Sequence, residues 1–392
     1  MNHRFRFYVL ALTLIAAIVA PIGTDALVLT SPGQYATNTV NDLVLMYYGT
    51  SSRKNWTIDE LRPCVTHKFA DGHRDWLFPG FLYLEFKMGK KQLVYGYTQE
   101  NACREDWQKL IDKYFMSNMG FDALDKCIEK YKKELGEPPF RHKVVIGIPS
   151  PIHNQSDWGK VNGRTLNFAK SDADRIQAVK WYIDELLSRF QKAHFKNFDL
   201  EGLYWVDENT HYCRTILPAV SDYVHSKKLL FYWIPYFNGT GSLDWKQMGF
   251  DIAYLQPNYF FRLQLGIERL YQTCERAKAN GMGLEFEFDH KYFDTRDKHA
   301  SRFTDYINVF EEQGVYANSA IAYYCDNHSL LDFEMSTRAD DHRVMDRFAS
   351  LIVERNRANA PMLTPQRSQS TNKGTNKSDN DYNWTDPEYW HF

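Results

Sequence analysis

Between residues 43 and 326 short apolar runs alternate with helical patterns, and this alternation constrains the fold more than any other feature of the chain. Eight runs recur: Leu43–Tyr48 (LVLMYY), Phe81–Phe86 (FLYLEF), Lys143–Pro149 (KVVIGIP), Leu200–Val206 (LEGLYWV), Leu229–Tyr236 (LLFYWIPY), Asp251–Gln256 (DIAYLQ), Gly283–Phe288 (GLEFEF) and Ser319–Cys325 (SAIAYYC). Each has the length of a strand and is rich in β-branched or aromatic residues. Helical stripes lie between most of them. Leu124, Cys127, Ile128, Tyr131 and Leu135 share one face, as do Ile176, Val179, Ile183, Leu186, Leu187 and Phe190. Ser171 is placed to cap the latter helix, with Asp174 three residues on. Pro218 suits a first helical turn. Leu270, Cys274 and Ala277 form a shorter stripe closed by Asn280-Gly281; Phe303, Tyr306, Ile307 and Phe310 form another closed by Gly314. Val344, Phe348, Leu351 and Ile352 make the last. Strand–helix alternation implies a parallel sheet, and eight such units closing on themselves make a single-domain α/β protein, the (β/α)8 or TIM barrel. The link between the fifth and sixth runs has room only for a turn or a stub of helix. The competing open, doubly wound sheet wants a glycine-rich phosphate loop after an early strand. The first run instead leads into Gly49-Thr50-Ser51-Ser52, which lacks that spacing.

The ends of the chain read differently. Arg4 and Arg6 precede an apolar run from Tyr8 to Ala20, and small residues follow up to Ala26. Residues 1–26 have the layout of a secretory signal peptide, the alternative being an uncleaved anchor helix. Export to a secreted or periplasmic location is expected, with no membrane insertion after cleavage. The barrel then occupies residues 27–356. Residues 357–392 form a polar tail whose stretch 361–380, rich in Pro, Ser, Thr, Asn and Lys, reads as disordered, before the aromatic end YNWTDPEYWHF. The formal net charge of -2 gives no basic excess, so a nucleic-acid partner is not expected. A monomer is. No two of the six cysteines lie two to four residues apart, which argues against a structural zinc site. An exported chain can pair its cysteines; the reading preferred here is buried thiols.

In a barrel of this kind chemistry gathers where the strands end at their C-terminal side. The second run ends at Glu85, the fourth leads into Asp207 and Glu208, the sixth ends at Gln256 with Asn258 beyond, and the eighth ends at Asp326. The seventh run is the most informative. Leu284, Phe286 and Phe288 alternate with Glu285, Glu287 and Asp289, and successive side chains of a strand point to opposite faces. If the apolar face meets the surrounding helices, the acidic face points into the barrel. Converging buried carboxylates are costly, and chains tolerate them mainly where charge has a task. A solvated amphipathic strand is the alternative, and it fits poorly in a parallel barrel covered by helices. Hydrolysis of a glycosidic bond needs one carboxylic acid to protonate the leaving oxygen and one carboxylate to attack or to activate water. Glu208 and Glu287 are the candidates for that pair.

A Glu at the end of strand four and another at the end of strand seven resembles the large clan of retaining TIM-barrel glycoside hydrolases. The segment from about Val40 to about Val353 also resembles an uncharacterised bacterial family of secreted proteins, a domain of unknown function. The likeness lies in LVLMYYG (43–49), FLYLEF (81–86), LEGLYWVDE (200–208), FYWIPYF (231–237), AYLQPNYFF (253–261) and GLEFEFD (283–289). The clan resemblance implies Glu208 as acid/base and Glu287 as nucleophile. The chain departs from it at Asp207, which stands where that clan has an Asn contacting the sugar 2-hydroxyl.

Aromatic residues make up 16% of the chain, and such side chains can stack on sugar rings while their polar edges still hydrogen-bond. Trp205, Trp233, Tyr236, Tyr254, Tyr259 and Phe260 are candidate stacking faces, and Gln256, Asn258 and Asn238 candidate partners for hydroxyls; packing roles compete for each. Glu85, Asp207, Glu285, Asp289 and Asp326 complete the set of supporting residues. His211 and His290 lie near the acids and read as ordinary hydrogen-bonding histidines. There is no HExxH, no clustered Cys/His and no GxxxxGK[ST], so neither a metal nor a cofactor is expected, the alternative being a divalent ion held by His290, Asp289 and Asp294. The function implied is a secreted glycoside hydrolase acting on a poly- or oligosaccharide. Its alternative is a catalytically inert glycan-binding barrel, in which Glu208 and Glu287 would be collapsed or salt-bridged rather than facing an open pocket.

Overall fold

The computed structural model describes residues 40–49, 53, 55–326 and 328–363. The expected signal peptide lies outside them, as does the tail beyond residue 363. Eight parallel strands close into one barrel: β1 (Asp42–Tyr47), β2 (Gly80–Leu84), β3 (His142–Ile148), β4 (Phe198–Trp205), β5 (Leu230–Trp233), β6 (Ile252–Leu255), β7 (Gly283–Glu287) and β8 (Ile321–Tyr324). Each strand pairs with its neighbours in chain order, and β8 pairs with β1 through Asp42 opposite Ile321. All eight expected runs are barrel strands. The barrel strands are covered by helices, which is why their runs are nearly continuous in apolar residues.

Helices cover the outside: α1 (Ile58–Val65), α2 (Arg104–Tyr114), α3 (Gly120–Leu135), α4 (Asp172–Ala193), α5 (Leu217–Ser226), α6 (Glu268–Asn280), α7 (Lys291–Asp294), α8 (Arg296–Glu312), α9 (Val315–Asn318), α10 (Ser329–Met335) and α11 (Ala339–Leu363). Ser171 caps α4 by accepting a hydrogen bond from the Asp174 amide. Gly281 ends α6 in the left-handed conformation. The β5–β6 link carries only a 3-10 helix, Ser242–Met248. The last helix continues through Leu363, so the expected barrel–tail boundary at residue 356 falls inside it. Among the described residues no helix is long and apolar enough to cross a membrane. The six cysteines are unpaired, five of them buried.

Two apolar layers hold the barrel. The outer one packs strand side chains such as Phe81, Trp205, Trp233, Leu284 and Phe286 against the helices. The inner one fills the barrel with Leu43, Leu82, Val145, Tyr232, Tyr254 and Ala322 among others. Tyr254 reaches across the floor because its neighbour is Gly283, where a Cβ would stand 2.8 Å from the Tyr254 ring. A side chain there would have to displace the tyrosine.

Candidate active site

A single extra residue decides which way β4 points its acids. Leu200 pairs with Val144, but Gly202 pairs with Val145, leaving Glu201 as a bulge. Before the bulge Phe198 and Leu200 face the outer layer; after it Tyr204 and Val206 face the interior. The bulge thereby reverses the alternation, and continuing that phase carries Glu208 into the mouth. On β7 no bulge intervenes. Leu284, Phe286 and Phe288 join the outer layer, while Glu285, Glu287 and Asp289 line the interior mouth.

Glu208, Glu285 and Glu287 share one cavity of about 350 Å³, within the range of small-molecule sites, roughly 300–1,000 Å³. The side chains of Gln256 and Asn258 join the two outermost acids. Gln256 Nε2 donates to Glu208 Oε1 at 3.1 Å and to the Ile234 carbonyl at 3.0 Å. Asn258 Nδ2 donates to Gln256 Oε1 at 3.1 Å. The Asn258 backbone N–H then donates to Glu287 Oε1 at 3.2 Å, with its Nδ2 at 3.4 Å. Asn258 aims that amide from a left-handed backbone, φ 54°, a conformation Asn adopts more readily than most residues. The Tyr306 hydroxyl donates to Glu287 Oε2. Among the described residues no cation is ion-paired with Glu208, Glu285 or Glu287.

These surroundings raise all three acids and set Glu287 apart from Glu285. Burial pushes Glu287 up to about 7, against the hydrogen bonds from Tyr306, Asn258 and the Tyr259 amide, which favour its anion. Burial and the charges of Glu287 and Glu208 push Glu285 well above the carboxylate range. Among the described residues Glu285 receives no such donors, so within this pair ionisation falls to Glu287 before Glu285. Burial also raises Glu208, opposed by the one Gln256 hydrogen bond. Burial thus raises all three acids, and the donors around Glu287 favour its anion over that of Glu285.

The other expected residues divide. Gln256, Asn258, Glu285 and Asp289 line the cavity, Asp289 also binding Lys291 Nζ at 3.1 Å. Asp207 does not line it. Its carboxyl accepts from the Ser150 hydroxyl, is pushed up to about 6 by burial, and lines a smaller adjoining pocket with Glu208. Glu85 and Asp326 lie behind Arg53, which is 3.4 Å from Glu85 and 3.8 Å from Asp326. Only Arg53 of these three lines the cavity, and it lies over the Tyr47 ring.

Trp205, Trp233 and Tyr254 are corrections. The two tryptophans face outward into the helix layer, and Trp233 Nε1 donates to the Asp207 carbonyl at 2.6 Å. Tyr254 faces inward but two residues below Gln256, in the floor. Tyr259 and Phe260 are buried in the outer layer; the Tyr259 hydroxyl binds Asp305, and Asn238 accepts from Arg276. The aromatic side chains that do line the mouth are Tyr47, Phe86, Tyr97, Tyr204, Phe261 and Tyr324. Strand parity could have found Tyr204 and Tyr324, which stand an even number of residues from Glu208 and Asp326. The role of Tyr306 carries no sequence signal beyond its helical stripe. Among the described residues no group of three His, Cys, Asp or Glu side chains is arranged to hold a metal ion.

The family described as "Domain of unknown function (DUF4855)" matches residues 42–350. No curated protein matches the sequence. Among solved structures, an endo-1,4-beta-mannanase from Rhizomucor miehei is similar at 10% identity and a TM-score of 0.43, covering 71% of this chain and 87% of that one. A GH113 beta-1,4-mannanase is similar at 11% and 0.42, covering 80% and 99%. A ribulose-1,5-bisphosphate carboxylase/oxygenase from Pyrococcus horikoshii OT3 follows at 8% and 0.38, covering 86% and 66%. Likenesses this distant carry no argument about chemistry.

Proposed function

The chain belongs to the DUF4855 family, a domain of unknown function matched over residues 42–350, and for this member we propose a glycoside hydrolase that cleaves a poly- or oligosaccharide with retention. One observation carries the reading: Glu208 and Glu287 line one cavity, free of ion pairs among the described residues and linked through Gln256 and Asn258. An inert glycan-binding barrel would have no reason to keep two buried acids unneutralised at its mouth.

In the first step the Glu208 carboxylic acid gives its proton to the glycosidic oxygen. The bond from that oxygen to the anomeric carbon breaks, and Glu287 carboxylate forms an ester to the same carbon. The leaving sugar departs as an alcohol. In the second step water attacks the anomeric carbon, Glu208 carboxylate takes its proton, and the ester bond breaks to release Glu287. Tyr306 and Asn258 hold the Glu287 carboxylate in place for attack. Asp207 stands next to Glu208 with a carboxyl raised to about 6, and in its protonated form it is a donor for a sugar hydroxyl. The export expected from residues 1–26 supports this reading, because polysaccharide is met outside the cytoplasm.

The test is a panel of polysaccharides and oligosaccharides incubated with purified protein, with the anomeric protons of fresh product followed by NMR. Cleavage with the substrate's own anomer appearing first is expected. The opposite anomer would sink the nucleophilic role of Glu287, and no cleavage of any glycan would sink the hydrolase.

A further inference from the structure

Next to the cavity, on the Glu208 side, lies a second recess of about 80 Å³ lined by Tyr95, Tyr97, Asp207, Glu208 and Tyr212 among others. Glu208 and Tyr97 line both spaces, so the two adjoin at these side chains. Its rim is unusual for a protein surface. Tyr95, Tyr97 and Tyr212 are 41%, 45% and 38% exposed, and all three stand around this one recess. His153 stacks flat on Tyr212 at 4.0 Å with 6° between the rings, and the Tyr95 ring lies 4.4 Å from Tyr212.

The rings are held in place rather than loosely displayed. Gln92 Oε1 accepts hydrogen bonds from the amides of Gly96, Tyr97 and Thr98 at 2.9, 3.1 and 3.2 Å, fixing the loop after β2. The buried Arg175 of α4 donates from Nε to the Pro151 carbonyl at 3.1 Å and from Nη2 to the Tyr212 carbonyl at 2.6 Å, tying the loops after β3 and β4 together. A fixed group of exposed aromatic faces marks a binding surface, and rings that need no ordering bind at lower entropic cost.

Resting on the hydrolase reading, we propose that Tyr95 and Tyr212, the latter backed by the His153 ring stacked on it, form the subsite for the leaving-group side of the glycan, where a pyranose ring packs against their exposed surfaces. The placement follows from the chemistry. The acid must stand beside the glycosidic oxygen, so the departing sugar lies on the side of Glu208 remote from Glu287. Flat apolar faces with polar edges suit the C–H face of a sugar ring and its hydroxyls. The enzyme therefore favours leaving groups that are themselves sugars.

The experiment separates this from the hydrolase reading by measuring binding without turnover. A Glu208→Gln/Glu287→Gln protein is titrated by calorimetry with cellohexaose, xylohexaose, mannohexaose and chitohexaose. At least one binds, and adding Tyr95→Ala/Tyr212→Ala weakens that binding by about tenfold, ~1.4 kcal/mol. Tyr95→Leu/Tyr212→Leu keeps bulk but lacks the flat faces, so it weakens binding likewise; a thermal melt confirms that each variant is folded. Unchanged affinity in the folded variants, or no binding of any hexasaccharide, overturns the subsite. Binding that depends on the tyrosines in a protein whose parent cleaves nothing overturns the leaving-group assignment together with the hydrolase and leaves a glycan-binding platform.

Discussion

Asn258 donates a hydrogen bond to Gln256 across 3.1 Å, and the two amide side chains thereby orient each other. With its carbonyl oxygen taken by Asn258, Gln256 has its amide nitrogen toward Glu208; the Asn258 backbone is left to serve Glu287. One short segment after β6 thus positions acids that come from β4 and β7. Such linked polar groups hold geometry only when every member is satisfied, which ties the chemistry of this mouth to four specific side chains.

Replacing Glu287 by Gln keeps the shape and removes the anion. Turnover is expected to fall by several orders of magnitude on any substrate the parent cleaves, while the variant still folds. Glu208→Gln should hurt most on sugars with poor leaving groups, because protonation matters most there. Rates on an activated aryl glycoside and on an oligosaccharide measure the difference. Near-normal turnover by the Glu287 variant would move the nucleophile to Glu285 or Asp289.

Tyr306→Phe removes one hydrogen bond to the Glu287 anion without opening a cavity. A hydrogen bond to a charged group is worth about 1.5–3 kcal/mol, so the Glu287 pKa should rise by about one unit or more. Because the reaction needs Glu287 ionised, the acid limb of the kcat/KM profile should move to higher pH. An acid limb that stays put, or moves down, would show that the tyrosine does not stabilise the working anion.

The barrel was legible because its strands are buried on both faces and so read as compact apolar runs. On β7 the strict alternation of Leu284, Phe286 and Phe288 with three acids also gave the inward face. On β4 the same logic was obscured. Glu201 adds one residue, and nothing but the adjacent glycine hints at it. Parity within the run still contained usable information: Trp205 is odd and Glu208 even, so they could not share a face, and the outward turn of Trp205 follows. Depth was harder to read. Tyr254 and Gln256 have the same parity, yet one lies in the floor and the other at the mouth. The loop residues Arg53 and Tyr97 and the helix residue Tyr306 reach the site through tertiary contacts that no local pattern encodes.

Glu201 lies at the other end of the barrel, where burial pushes it up to about 7 despite hydrogen bonds from the Tyr232 hydroxyl at 2.9 Å and the Val40 amide at 3.2 Å. Its folded value exceeds its unfolded one, so the fold binds this proton more tightly than the open chain does. The resulting stabilisation is complete below the ordinary carboxylate value and is lost as pH rises to about 7. The parent should therefore lose melting temperature across that window through this site. Glu201→Gln, neutral at every pH, should flatten the loss. Parallel melting curves for parent and variant from pH 4.5 to 8 would refute the assignment.

Arg355 ties the last helix to the first strand. Its Nε stands 3.0 and 3.1 Å from the two Asp42 oxygens, and its Nη atoms donate to the carbonyls of Asn41, Val315, Tyr316 and Ser319. The Tyr323 hydroxyl adds a hydrogen bond to Asp42 at 2.7 Å. All these groups are buried, so removing the guanidinium strands a carboxylate and several carbonyls without water. Arg355→Met retains apolar bulk, yet it should cost about 3–5 kcal/mol, the usual loss when one partner of a buried pair is deleted. Asp42→Asn combined with it should cost less than the sum of the two single changes, because the pair acts as a unit. Denaturant unfolding of the four proteins measures both quantities. A loss under about 1 kcal/mol for Arg355→Met, or strict additivity in the double variant, would show that the barrel closes without this anchor.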